Sequence, residues 1–144
     1  MDRMVLVGLA GVVAVAVFVL VSEQSDPTND LASADGQGGA LVEIAMPAEL
    51  SANAQIGQTA YEAKCAACHG VNAVGQDGVA PPLVHIIYEP SHHGDEAFQR
   101  AVAMGVRGHH WPFGNMPAVE GLTRGDVAMI VAYIRELQQA NGIN

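Results

Sequence analysis

Two cysteines are all the chain has, Cys65 and Cys68, with only two residues between them. No other thiol exists to pair elsewhere, so a framework of structural disulfides is excluded. Base is scarce too. Lys64 is the only lysine, and 6 Lys and Arg stand against 15 Asp and Glu, a formal charge of −9. Nucleic acid and anionic lipid headgroups repel such a chain, which argues against both as partners. Aromatic side chains make up 5% of the residues, and Ala and Gly are common, so the chain has little bulk of its own for a core. No stretch alternates apolar and polar residues as a strand would. The 144 residues, 50% of them apolar, suffice for one domain and not comfortably for two.

What the chain does have is Cys65-Ala66-Ala67-Cys68-His69, the C-x-x-C-H pattern by which c-type haem is attached. Two thiols about one helical turn apart share a face and reach two vinyl-derived carbons on one porphyrin edge. The next residue, His69, then directs its imidazole at the iron as fifth ligand. A covalently held porphyrin also supplies the missing core, so folding and haem attachment are expected to be linked. Two other uses of the cysteines compete. A thioredoxin-like dithiol sits between a strand and a helix, and this chain offers no such strand. A zinc site needs four N or S ligands, for which His92-His93 and His109-His110 are the remaining supply.

One long apolar run is present. Met4–Val21 holds 18 consecutive apolar or glycine residues, near the lower limit for a membrane-spanning helix, which needs roughly 17–25. Arg3 precedes the run, and no Lys or Arg follows before Lys64. The positive-inside rule then keeps the N-terminus cytoplasmic and exports the rest. A cleaved signal peptide is the rival reading, but its apolar region is shorter and its small-x-small site closer; Ala32-Ser33-Ala34 lies well past Pro27. The expected organisation is a transmembrane signal-anchor over 1–21, a flexible linker over 22–50 and a haem domain over 51–144. Gly36-Gln37-Gly38-Gly39 marks the linker as mobile. The apolar patch from Ala40 to Met46 within it leaves open whether that part lies against the domain.

Three helices are expected in the domain, giving an all-α fold. Ser51 or Asn53 caps one running through Lys64, with Ile56, Gly57, Ala60 and Tyr61 on one face. Gly57 inside a helix costs about 1 kcal/mol against Ala, and close approach of another backbone would compensate. The partner expected is the last helix, where Thr123 and Asp126 form a capping box. Val127, Ile130, Val131, Ile134 and Leu137 follow at helical spacing, and Asn141-Gly142 ends the helix. Between them, Asp95 caps a third helix with Phe98, Ala101 and Val102 inside and Gly105 beyond its end.

The helix running into Cys65-x-x-Cys68-His69-Gly70, the late Gly114-Asn115-Met116-Pro117 and the final Tyr133-Ile134-Arg135 helix together resemble a class I, monohaem cytochrome c. The resemblance spans about residues 51–140. It implies a small all-α cytochrome c fold around one haem c attached through Cys65 and Cys68, with first and last helices crossing at Gly57, Tyr61 and Tyr133. It further implies that His69 and Met116 ligate the iron. Pro81, in Ala80-Pro81-Pro82-Leu83, would accept the proximal imidazole N–H and fix its tautomer; this sequence has Ala80 where the family has Gly.

Among the competitors of Met116, Met104 and Met129 fall within expected helices, where methionine commonly fills core. His109 or His110 would instead make a bis-histidine haem of lower potential. A thioether is soft and neutral, raises the iron potential and leaves no position for oxygen or peroxide. The function implied is an electron carrier rather than an enzyme, tethered in a bacterial inner membrane by one span with its haem domain in the periplasm. It would pass single electrons between respiratory or photosynthetic complexes, with redox proteins as partners and no small-molecule substrate. The alternative is an electron-transfer subunit of a periplasmic dehydrogenase or reductase, and a third reading is gas or peroxide chemistry at an open haem. His85, His92, His93, His109 and His110 have no place in the family pattern. Surface or propionate-side roles are the simpler reading for them, with Arg107 and Trp111 as further propionate donors, and a copper or zinc site the sharper one.

Overall fold

Ser51 starts the first helix. Its hydroxyl accepts from the Ala54 amide at 3.2 Å and donates to Glu136 Oε1 at 2.6 Å, while its own amide donates to Glu136 Oε2 at 3.0 Å. One residue thus caps a helix and ties it to the far end of the chain. In the computed structural model, residues 38–144 are described. The membrane span expected over 1–21 and the linker residues 22–37 lie outside them. Among the described residues no helix is long and apolar enough to cross a membrane.

Four helices carry the domain: α1 (Ala52–Lys64), α2 (Ala66–His69), α3 (Asp95–Met104) and α4 (Arg124–Ala140). Two 3₁₀ turns, Val71–Ala73 and Ile86–Tyr88, join them. The only β pairing among the described residues is two isolated bridges, Gln76 with Ala80 and Val106 with Met116. The all-α class is as expected.

Helices α1 and α4 meet at Gly57. A Cβ added there would stand 1.8 Å from the Met129 carbonyl oxygen, so the two backbones touch where a side chain would separate them. Around the contact lies the core: Ala54 and Tyr61 from α1, and Ile130, Tyr133, Ile134 and Leu137 from α4. The rings of Tyr61 and Tyr133 pack at 5.6 Å between centroids. Their hydroxyls leave the core for polar partners, Tyr61 donating to Gly70 O at 2.9 Å and Tyr133 to Asn72 Oδ1 at 3.0 Å. Burial pushes both phenols up, Tyr133 to about 12, so each stays a donor.

The capping box of α4 forms as expected. Thr123 Oγ1 accepts from the Asp126 amide at 3.2 Å, and Asp126 Oδ2 accepts from the Thr123 amide at 2.8 Å. Three expectations shift. Gly94 rather than Asp95 holds the N-cap of α3, and Asp95 enters its first turn. Ile56 is 59% exposed, because the buried face of α1 is the narrow row Ala54, Gly57 and Tyr61. Met104, at the last residue of α3, is 70% exposed and fills no core.

The described part of the expected linker is not free. Leu41 and Val42 amides both donate to Val74 O, at 3.1 and 3.3 Å, and the Asp77 amide donates to Gly39 O at 3.0 Å. Asn141 uses its side-chain amide as a strand partner would: Oδ1 accepts from Ala45 N and Nδ2 donates to Ala45 O, both at 2.8 Å. Ile44 and Leu50 pack on the core. The packed unit therefore begins before residue 51, since apolar side chains at this spacing are worth more against the domain than in water.

Candidate haem site

The attachment segment is built locally. Cys65 ends α1 with its amide donating to Tyr61 O at 2.7 Å, and the amides of Cys68 and His69 both return to Cys65 O, at 3.1 and 2.9 Å. This single turn puts both thiols beside one cavity. Burial pushes the Cys65 thiol up to about 11, with the Cys68 sulfur adding to the shift. A redox dithiol requires the opposite, a thiol lowered towards neutrality.

His69 is held from behind. Its Nδ1 lies 2.9 Å from Pro81 O; a carbonyl can only accept, so the proton sits on Nδ1 and the Nε2 lone pair is free. Burial lowers the imidazole pKa, opposed by that hydrogen bond, and keeps the ring neutral, the form that ligates metal. The Pro81 segment is in turn pinned. The amides of Leu83 and Val84 donate to Ala73 O at 2.9 and 3.3 Å, and Gln138 Nε2 donates to Leu83 O at 2.8 Å. Ala73 adopts φ 63° to offer that carbonyl, a left-handed conformation costly for alanine. Ala80 does not adopt positive φ, so its methyl is accommodated where the related family has glycine.

Met116 comes from the loop between α3 and α4. Its amide and carbonyl pair with those of Val106, each bond 2.9 Å. Gly105 makes the pairing possible: at φ 76°, a Cβ there would stand 2.5 Å from Met116 O. Asn115 Oδ1 closes the loop by accepting from the Gly108 amide at 2.9 Å. The position of residue 116 is thus set by backbone, independently of its side chain.

Cys65, Cys68, His69, Pro81 and Met116 all line one cavity of about 640 Å³, within the range of about 300–1,000 Å³ usual for cofactor sites. Its walls are apolar: Leu83, Phe98, Val127, Ile130, Val131 and Ile134. At the same cavity, Trp111 stacks on Phe113 with rings 5.9 Å apart and 8° from parallel. Its indole N–H is buried without a well-formed hydrogen bond, although it stands near enough to the Tyr88 hydroxyl to offset part of the rise that burial causes there. An apolar slot with two thiols and an imidazole on its wall, a thioether from a separate loop and a spare buried donor suits a flat, apolar macrocycle with acidic substituents. The residues present fit haem.

His92, His93, His109 and His110 also reach this cavity, and His85 packs edge-on against Trp111 at 5.2 Å. Partial desolvation and then the neighbouring imidazoles hold His110 below the ordinary histidine range.

Two positioning residues escape a reading of the pattern. Arg135, its side chain 11% exposed, donates to Tyr88 O, His93 O and Gln138 Oε1, each at 2.6 Å, and to Asp95 Oδ1 at 2.9 Å. Its guanidinium also lies over the Phe98 ring at 5.1 Å. Gln138, fully buried, donates to Leu83 O and to Tyr88 O at 3.0 Å. Together they hold the 83–93 wall of the cavity onto α4. The available signal was polarity out of place, since Gln138 falls four residues after Ile134 on an otherwise apolar stripe. Arg135→Met keeps the stem and removes these charged donors. It is expected to cost about 2–4 kcal/mol, since hydrogen bonds to charged groups contribute roughly 1.5–3 each, read as a lower guanidinium midpoint with an unchanged slope.

Compared with known families, residues 54–138, well over half of the chain, match the family described as Cytochrome c. The match runs from the first turn of α1 into the last of α4 and contains each of the five expected site residues. No curated protein matches the chain.

Proposed function

Because the chain belongs to the cytochrome c family, whose members carry electrons on a haem c held by a cysteine pair, here Cys65 and Cys68, we propose that it is a membrane-tethered monohaem carrier with His69 and Met116 as axial ligands. The observation that carries this reading is the single cavity on which Cys65, Cys68, His69 and the backbone-pinned Met116 converge. Bound there, the haem supplies a one-electron iron couple. The chain's own residues do the rest. Pro81 O holds the proton on His69 Nδ1 and leaves the Nε2 lone pair free to ligate the iron. The Met116 thioether, being soft and neutral, favours the reduced state relative to a second imidazole. As a ligand it would also fill the position where oxygen or peroxide would otherwise bind, leaving outer-sphere transfer as the chemistry of the site. Apolar walls exclude water and keep reorganisation small.

The same reading takes residues 4–21 as the anchor in a bacterial inner membrane, with Arg3 cytoplasmic and the haem domain in the periplasm. Respiratory or photosynthetic complexes are then the donor and acceptor. With Lys64 the only lysine and a net charge of −9, the partners present neutral or basic faces, or dock through apolar contact. An absorption spectrum of the oxidised protein tests the ligation: a weak sulfur-to-iron band in the far red is expected, and its absence, or rapid carbon monoxide binding by the reduced form, refutes Met116 as ligand. The anchor is tested by membrane fractionation, where deleting residues 1–21 should release the haem domain into the soluble fraction.

A further inference from the structure

We propose that His92, His93 and His110 form a second metal site, for a zinc-class divalent transition-metal ion, that fastens the Met116 loop to the turn before α3. One ring nitrogen from each of the three can be chosen so that all lie within 4.8 Å of one another. His92 Nε2 and His110 Nε2 are 3.4 Å apart. A tetrahedral ion with metal–nitrogen bonds of about 2.0–2.1 Å sets its ligand nitrogens about 3.3–3.4 Å apart, so this pair already spans one edge of the tetrahedron. Two imidazoles facing nitrogen to nitrogen share a proton at best, and an ion between them replaces that proton with two bonds.

His93 is oriented for the third bond. Its Nδ1 donates to Ile87 O at 2.6 Å, which leaves Nε2 with the lone pair; a carbonyl behind the ring is the partner that metal-bound histidines commonly have. Its backbone is fixed by Arg135 through His93 O and by its own amide donating to Glu89 O at 2.8 Å. His92 stands beside it on the same turn, its amide also donating to Glu89 O at 3.1 Å. The ring of His109 lies 4.2 Å from that of His110 but stands outside the group whose ring nitrogens come within 4.8 Å of one another, so solvent completes the coordination. Three imidazoles without a carboxylate select zinc, copper or nickel over magnesium or calcium. The acidic chain favours the approach of any cation but gives no such selectivity.

The consequence is mechanical. His92 and His93 belong to the turn that Arg135 holds on α4, whereas His110 belongs to the loop that ends at Met116, and both segments border the haem cavity. An ion across them joins two walls that are 18 residues apart in sequence. The site is independent of which side chain ligates the iron, unless His110 itself does so.

Tag-free, haem-loaded, full-length protein in detergent, stripped with a chelator, is titrated calorimetrically with zinc. One ion per chain is expected, with no response to magnesium. His92→Gln and His110→Gln should each weaken zinc binding at least about tenfold, since even losing a partner behind a ligand costs 10–100-fold. Zinc-edge X-ray absorption should show imidazole nitrogens at about 2.0–2.1 Å, and amides of residues 107–115 should exchange more slowly with zinc present. Both histidines are exposed, and unchanged far-ultraviolet circular dichroism certifies each variant as folded. Absence of saturable binding, parental affinity in either variant, or displacement of zinc by magnesium overturns the site. Binding without slower exchange overturns the fastening.

Discussion

Gly57→Ala is expected to destabilise the haem-loaded protein by about 2–3 kcal/mol, and Gly57→Val to prevent stable folding, overpacking of a tight core costing typically 1–3 kcal/mol and sometimes more. The sign depends on two opposed terms. Alanine is the better helix former by about 1 kcal/mol, so on α1 alone the change would stabilise. At this position, however, the new methyl meets the Met129 carbonyl oxygen at 1.8 Å. That atom belongs to the α4 backbone and cannot rotate away as a side-chain end would. The helices must part by more than an ångström, and the contact they seal contains Tyr61, Tyr133, Ile130 and Leu137. Small domains have only about 5–15 kcal/mol of net stability, so the loss is a large fraction of the total. Guanidinium unfolding followed at the haem absorption band measures it. Gly57→Ala at or above the parent stability would mean that the helices do not depend on this contact.

Met116→His is expected to abolish the far-red sulfur band and to lower the midpoint potential by some hundreds of millivolts, within the roughly 0.8 V over which axial ligands set haem potentials. Each 100 mV corresponds to about 2.3 kcal/mol per electron, so this exceeds most single-residue effects on the redox equilibrium. The backbone at 116 stays put on substitution, because the Val106 pairing and the Gly105 approach hold it through main-chain atoms. An imidazole therefore inherits the thioether's place. Met116→Ala should open the position, read as fast carbon monoxide binding to the reduced protein. Met104→Ala serves as control, its side chain being 70% exposed, and should leave the potential near the parent value. A Met116→His protein with parental potential would remove the thioether from the iron.

Arg135→Met and the zinc titration both act on the 83–93 wall of the cavity. Because Arg135 holds His93 through its carbonyl, the two tests touch one segment, through its backbone and through its side chain.

Legibility in the sequence followed the range over which each feature is encoded. Cys65 to His69 form one helical turn, and their side-chain directions follow from that turn alone. The Thr123–Asp126 box and the Ser51 cap are equally local, and both formed as the residue types require. The Gly57 contact was legible because a helical glycine is costly unless something fills its place. Ile56 misled, since periodicity identifies a stripe but not its width, and only the narrow Ala54–Gly57–Tyr61 row of α1 is buried. Asn141, Arg135 and Gln138 gave no local signal of their partners, which lie 96, 47 and 55 residues away.

By itself the sequence determined where haem is stapled, where the three long helices lie and how the first and last are capped, because those choices are made within a turn by side-chain spacing and backbone hydrogen bonds. Tertiary structure alone decided that residues 39–50 join the domain, that Arg135 and Gln138 bind the cavity wall to α4, and that four histidines from two loops gather at its mouth. Each of these depends on surfaces brought together only after the helices pack, when distant carbonyls and imidazoles come within bonding reach.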